Sequence, residues 1–143
     1  MKTLRDIMTT EVDFCTPLDN VFEVAVKMKE NNVGMIPICD NGEILGVITD
    51  RDLVIRCMAE KKPGSTKVTE VMSERLVTAH SDMTVEEASE LMAKEQIRRL
   101  PVVDGKKLVG IVSLGDLAVH HSSAANAGLA LSEISENHGE IHH

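Results

Sequence analysis

The chain is predicted to be an α/β protein: two tandem motifs, each strand-helix-strand-strand-helix, packed with pseudo-two-fold symmetry through their sheets. Three observations predict it. Under a shift of 64, residues 4–59 fall on 68–123 without a gap. Within each copy, one apolar stretch has helical spacing and two short aliphatic runs follow it. A single copy has too little surface to cover both faces of a small sheet, so each needs the other.

The register of the repeat is carried by identities. Met8 matches Met72, Val21 matches Val85, Met28 matches Met92, Pro37 matches Pro101 and Gly46 matches Gly110. Many other pairs exchange like for like, among them Val33 with Ile97, Ile48 with Val112 and Thr49 with Ser113. Such self-similarity is the mark of a duplicated supersecondary unit.

The elements follow in order. Ahead of each helix stands a short strand. In "TPLDNVFEVAVKMKENN", Pro17 and Asp19 mark a helix start, and Val21, Val24, Ala25 and Met28 recur at i, i+3, i+4 and i+7. The counterpart "SDMTVEEASELMAKEQ" places Val85, Ala88 and Met92 in register, with Glu86 and Glu87 favourable in the first turn. "GMIPICD" and "RRLPVVD" are short strands. Their prolines cannot donate to a ladder and so predict a strand start or an edge. "NGEILGVIT" and "GKKLVGIVS" add a turn and a second strand, which makes a hairpin. A last helix begins near Thr49 in one copy, with Leu53, Val54, Cys57 and Met58 apolar, and near Ser113 in the other. The predicted partition is a first motif at 1–60, a charged Pro-Gly linker at 61–67, a second motif at 68–123 and a tail at 124–143. In the tail, Ala124–Ile134 could form a short helix before the end frays.

Composition narrows the function classes. The net charge is −8 and no basic stripe occurs, so nucleic acid is not an expected partner. Phe14 and Phe22 are the only aromatics, which leaves no stacking platform for single strands. No stretch reaches membrane-spanning length and no leader-like apolar run opens the chain; a cytoplasmic protein with no membrane partner is expected. Cys15, Cys39 and Cys57 lack CxxC spacing. Cys39 and Cys57 read as small buried hydrophobes, and Cys15 has no sequence-adjacent His or Lys to activate it. No triad motif, GxGxxG or GxxxxGK[ST] occurs, so no enzyme and no required cofactor are expected. His138 and His142 have i, i+4 spacing in an acidic tail without preformed geometry, and no metal site is assigned there.

"MIPICDNGEILGVITDRDL" and "RLPVVDGKKLVGIVSLGDL" together resemble the cystathionine β-synthase (CBS) domain, present here as a stand-alone tandem pair over residues 4–123. The resemblance implies an adenosine-containing ligand in the cleft between the motifs, with AMP, ADP or ATP as the candidate nucleotide. It implies an Asp bonding the ribose, with the hydroxyl residue and the residue before the Asp near ribose and phosphate. It also implies a sensor that passes occupancy to an unidentified protein partner, and a homodimer formed through helices. Carried across, the favoured site takes Thr49, Arg51 and Asp52 from the first motif with His80, Ile97, Arg98 and Arg99 from the second. The doubtful site takes Ser113, Gly115 and Asp116 with Thr16, Val33, Gly34 and Met35. Three arginines suit the first to phosphate, whereas glycines replace Arg51 and Arg98 in the second.

Plainer readings stand beside these. Thr49-x-x-Asp52 and Ser113-x-x-Asp116 are also helix-capping signals, each worth about 0.5–2 kcal/mol. Arg98 and Arg99 could be ion-pair partners of Asp82, Glu86 or Glu87, and His80 a polar loop residue. A module that dimerises and takes no small ligand is the alternative function.

Overall fold

The structure, a computed structural model, describes residues 2–120. In chain order the elements are helix α1 (Leu4–Ile7), α2 (Val21–Asn31), strands β1 (Met35–Asp40) and β2 (Glu43–Thr49), and α3 (Asp50–Asp52) running into a π-helical turn (Leu53–Met58). A 3-10 turn (Val68–Glu70), β3 (Ala79–His80), α4 (Val85–Glu95), β4 (Arg99–Asp104), β5 (Lys107–Ser113) and α5 (Leu114–Val119) follow. The fold is mixed α/β and repeats one element order, as the sequence predicts. The tail helix over Ala124–Ile134 and the pair His138 and His142 lie outside the described residues.

Two compact units form, and they do not coincide with the sequence repeats. One holds Asp13–Leu76 with Lys106–Leu108; the other holds the residues up to Val12, Val77–Gly105 and those from Val109 on. The partition at 1–60, 61–67 and 68–123 follows the repeat, whereas compactness cuts the chain after each leader. The physical reason is an exchange: the leader of each copy packs on the opposite copy.

The exchange obeys the 64-residue shift. In the first-copy unit, Val68 N–H donates to the Asp19 carbonyl at 3.1 Å and Val21 N–H to that of Thr66 at 2.9 Å. In the second-copy unit, Leu4 N–H donates to the Met83 carbonyl at 2.9 Å and Val85 N–H to that of Lys2 at 3.3 Å. The orphan N–H groups that open α2 and α4 are thus met by leader carbonyls. Residues 61–67 share in this: the Gly64 carbonyl accepts from Phe22 N–H at 3.1 Å. The stretch expected to be a linker is built into the first-copy unit.

Each unit has its own core. In the first-copy unit Val24, Ile36, Ile38 and Ile48 are buried with Val68 and Val71 of the leader. In the second-copy unit Met92, Leu100, Val112 and Leu117 close around Leu4, which is fully buried. The predicted helix faces hold, with Val21, Val24 and Met28 inward on α2 and Val85, Ala88 and Met92 inward on α4. Ala25 is only half-buried.

The first strand of each copy is reduced to a fragment. Cys15 makes one parallel bridge to Ile38, and β3 pairs Ala79 and His80 with Val102 and Val103. These short partners explain how Pro37 and Pro101 sit inside β1 and β4, because few ladder donors are demanded on that side. β1 and β2 form an antiparallel hairpin across Asn41 and Gly42, both at positive φ, the two-residue turn that matches strand twist. β5, β4 and β3 are neighbours in that order.

The helix after Thr49 departs from expectation. The Ala59 N–H donates to the Val54 carbonyl at 2.8 Å, an i+5 bond, and only Cys57 of its apolar residues is buried. Val54, Ile55 and Met58 face outward.

Candidate ligand-binding corners

At the end of β2, Thr49 is extended and caps α3. Its Oγ1 accepts from Asp52 N–H at 3.1 Å, and Asp52 Oδ2 accepts from Thr49 N–H at 2.9 Å. At the end of β5, Ser113 and Asp116 repeat the pair, at 3.1 and 2.8 Å. The capping reading is therefore realised in both copies. It leaves chemistry unspent, because the Oδ1 of each aspartate has no hydrogen-bond partner among the described residues. The hydroxyl hydrogens of Thr49 and Ser113 are likewise undonated there. A half-buried carboxylate oxygen beside a hydroxyl can accept from a diol.

The segment before the first strand of each hairpin joins the corner of its own copy. Asp50 N–H donates to the Gly34 carbonyl at 2.9 Å, and Leu114 N–H donates to the Arg98 carbonyl at 3.1 Å. Thr49, Arg51 and Asp52 therefore share the first-copy unit with Thr16, Val33, Gly34 and Met35, while Ser113, Gly115 and Asp116 share the second with His80, Ile97, Arg98 and Arg99. The sequence expectation draws each candidate site from both copies, Thr49, Arg51 and Asp52 with residues of the second and Ser113 and Asp116 with residues of the first. The Arg98 carbonyl thus bonds the residue two positions before Asp116.

The remaining candidates have varied surroundings. Val33 and Ile97 pack against the two cores. Thr16 is engaged with Asp19, whose Oδ2 accepts from Thr16 N–H at 2.7 Å. That bond is the leading cause holding the Asp19 carboxyl below its ordinary range. Met35 opens β1 and Arg99 opens β4, both half-buried, while Arg51 and Arg98 are exposed. Neither Arg98 nor Arg99 pairs with the carboxylates weighed for them. Asp82 is taken by Arg5 at 2.6 Å, and Glu87 is held by the Thr84 cap.

His80 belongs to a network that the sequence did not reveal. Arg5 Nη2 donates to the buried Ser81 hydroxyl at 2.7 Å, and that hydroxyl donates to Asp104 at 2.6 Å. The Ser81 bond, then His80 and Arg5, hold the Asp104 carboxyl below its usual range. His80 sits between Asp82 and Asp104 at 3.8 and 3.7 Å. The only advance signal was the charge on Arg5, which has no counterpart at Thr69.

The three cysteines are free and buried, and burial pushes Cys15 and Cys39 up to about 11. They are poor nucleophiles at neutral pH. Among the described residues no group of three or more His, Cys, Asp or Glu could hold a metal ion. No helix among them is long and apolar enough to cross a membrane.

Relatives share this architecture. The CBS domain-containing protein YhcV of Bacillus subtilis (strain 168) is 49% identical over 142 residues, 99% of this chain and all of that one (100%). The solved CBS domain pair of protein MJ0100, in complex with 5′-methylthioadenosine and S-adenosyl-L-methionine, matches with a TM-score of 0.75 at 27% identity. That match covers 87% of this chain and 98% of the other. The structure of CBSX2 in complex with AMP matches with a TM-score of 0.75 at 25% identity, covering 87% and 99%. The family model for the CBS domain matches twice, at residues 4–58 and 68–121. With its duplicated core, its two capped corners and these two matches, the chain belongs to the CBS-domain family.

Proposed function

We propose that this CBS pair is a sensor that binds an adenosine-containing ligand, an adenine nucleotide such as AMP, ADP or ATP first among them, and passes occupancy to a protein partner. One observation carries the reading. Each unit holds a hydroxyl and a carboxylate oxygen, both unspent, beside a pre-strand segment tied to them by a backbone bond. That geometry suits a ribose diol flanked by a 5′ substituent. The adenosine compounds held by the two structural relatives support the ligand class. A partner that prefers the liganded form would raise ligand affinity by the same factor that the ligand raises its own.

Isothermal titration of the full chain against AMP, ADP, ATP, 5′-methylthioadenosine and S-adenosylmethionine tests the reading. Binding is expected, and Asp52→Ala or Asp116→Ala should weaken it by about tenfold or more, in keeping with the loss of a half-buried charged acceptor. A wild-type chain that binds none of them refutes the sensor reading.

A second reading rests on the outward apolar residues. Leu18, Phe22, Val54, Ile55 and Met58 are all exposed in the first-copy unit. Such a surface supports self-association into a homodimer.

A further inference from the structure

The two leaders, residues 2–9 and 66–73, hold equal places under the 64-residue shift, yet they are fastened by different means. In 66–73 the apolar side chains Val68, Val71 and Met72 are all buried. In 2–9 only Leu4 is buried, while Ile7 and Met8, which match Val71 and Met72, are half-buried. Each leader ends on the same paired bridge to the second strand of a hairpin. Thr9 and Ile111 exchange N–H and carbonyl at 2.9 and 3.0 Å, and Ser73 and Val47 do so at 2.9 and 3.1 Å.

Charge makes up the difference. Arg5 Nη1 pairs with Asp82 at 2.6 Å, while its Nη2 donates to the buried Ser81 hydroxyl, which donates in turn to Asp104. These groups come from the turn between β3 and α4 and from the end of β4, and His80 of β3 stands between the two carboxylates. Asp6, beside Arg5, closes its own turn by accepting from Thr3 N–H at 3.0 Å. Lys2 adds a further tie, its Nζ lying 3.0 Å from His120 Nδ1. In the other leader Lys2 and Arg5 become Thr66 and Thr69, and Ser81 and Asp82 become Pro17 and Leu18. There Arg56 donates to the neutral Met72 carbonyl at 3.3 Å, and Glu70 pairs at 3.7 Å with Lys62, a near neighbour in the chain.

We infer that residues 2–9 are a strap released by charge screening, while 66–73 stays shut. The grip of the strap is divided between one buried leucine and an ionic network whose arginine and carboxylates reach solvent, and such a network weakens as salt rises. Burial of Val68, Val71 and Met72 offers salt no comparable handle. Opening bares the N–H and carbonyl of Ile111 on β5 and the socket that Leu4 fills among Ala88, Met92 and Leu117. Openings of this kind cost less than global unfolding, so one part of a fold can respond while the rest stands. The second-copy unit therefore carries an ionic-strength-sensitive gate on its own core.

Hydrogen exchange of the full chain, read by NMR at constant pH in low and in high salt, tests the strap against an internal control. The Thr9 and Ile111 amides report the strap, and the Ser73 and Val47 amides report the other leader. Salt effects on exchange chemistry fall on both pairs, so the ratio of their rates is the measure. At low salt the Thr9 and Ile111 amides should exchange about tenfold faster, and high salt should widen the ratio by about threefold more. Arg5→Gln should widen it by about fivefold at low salt and abolish its salt response. Arg5→Lys, which keeps the charge, should retain that response. Equal exchange at the two pairs, or a ratio indifferent to salt or to Arg5→Gln, overturns the strap. So does acceleration of both pairs together, which means that the chain opens as one.

Discussion

At the scale of single residues, the glycines divide into two kinds that look alike in sequence. Gly46 and Gly110 occupy the same place in the two copies, and a side chain at either would collide with an incoming leader. A Cβ on Gly46 would stand 2.7 Å from the Ser73 carbonyl oxygen and 2.9 Å from Met72 Sδ. One on Gly110 would stand 2.6 Å from Met8 Sδ and 2.9 Å from the Thr9 carbonyl oxygen. The backbone oxygens cannot give way, because Thr9 and Ser73 are each held by paired bonds to Ile111 and Val47. Gly115 is different: it is exposed on α5, and a Cβ there meets only Ser113 Oγ at 3.6 Å. Gly46→Ala and Gly110→Ala should each destabilise by about 1–3 kcal/mol through overpacking. Gly115→Ala should stabilise by roughly 0.5–1 kcal/mol, because alanine has less unfolded-state freedom to lose and favours the helix. Chemical denaturation of the three variants checks both signs, and a harmless Gly46→Ala would show that the leader can retreat from β2.

At the scale of elements, the exchanged leaders decide which parts of the chain stand or fall together. Leu4 lies at the start of the first copy yet is buried with Ala88, Met92 and Leu117 of the second. Leu4→Ala should therefore cost about 2–5 kcal/mol. The loss should appear first in the second-copy unit. Hydrogen exchange is the direct measurement: amides of α4 and β4 should exchange faster, with those of β1 and β2 less affected; the reverse order would rule out the exchange. This connection also marks the limit of what the sequence made legible. Period and identity exposed the repeat, the helix faces and the hairpins, because each depends on residues close together in the chain. Which copy a leader packs on depends on contacts far apart in sequence, and an exchanged pair and an unexchanged pair have the same repeat. The backbone bond from Leu114 to the Arg98 carbonyl escaped for a related reason, since it leaves no mark on residue type. The Thr49 and Ser113 caps were readable because capping is a rule of spacing.

At the scale of the whole molecule, the internal duplication supplies its own control for surface chemistry. Positions that must be apolar for folding are apolar in both copies, as Val24 and Ala88 are. Several outward positions diverge: Leu18 is matched by Asp82, Phe22 by Glu86 and Val54 by Ala118, while Ile55 is matched by the exposed Val119. Folding does not explain the apolar choice in the first copy, because the second folds with acids at two of these places. Leu18, in the turn before α2, is 85% exposed, Phe22 64% and Met58 74%, apolar surface that a monomer would leave in water. The homodimer reading assigns this surface to a second copy of the chain. Glu60 and Lys61, exposed just after Met58, give mixed charge beside it, and a two-fold contact can set such charges against their own images. A net charge of −8 opposes association at long range, so the contact should tighten as salt screens it. Val54→Asp with Met58→Asp should therefore yield a monomer that remains folded, since both side chains lie outside the core. Light scattering across a concentration series would read the mass, and circular dichroism the fold. A wild-type chain that stays monomeric throughout, at low and high salt alike, would leave this apolar face to a different protein and remove the homodimer.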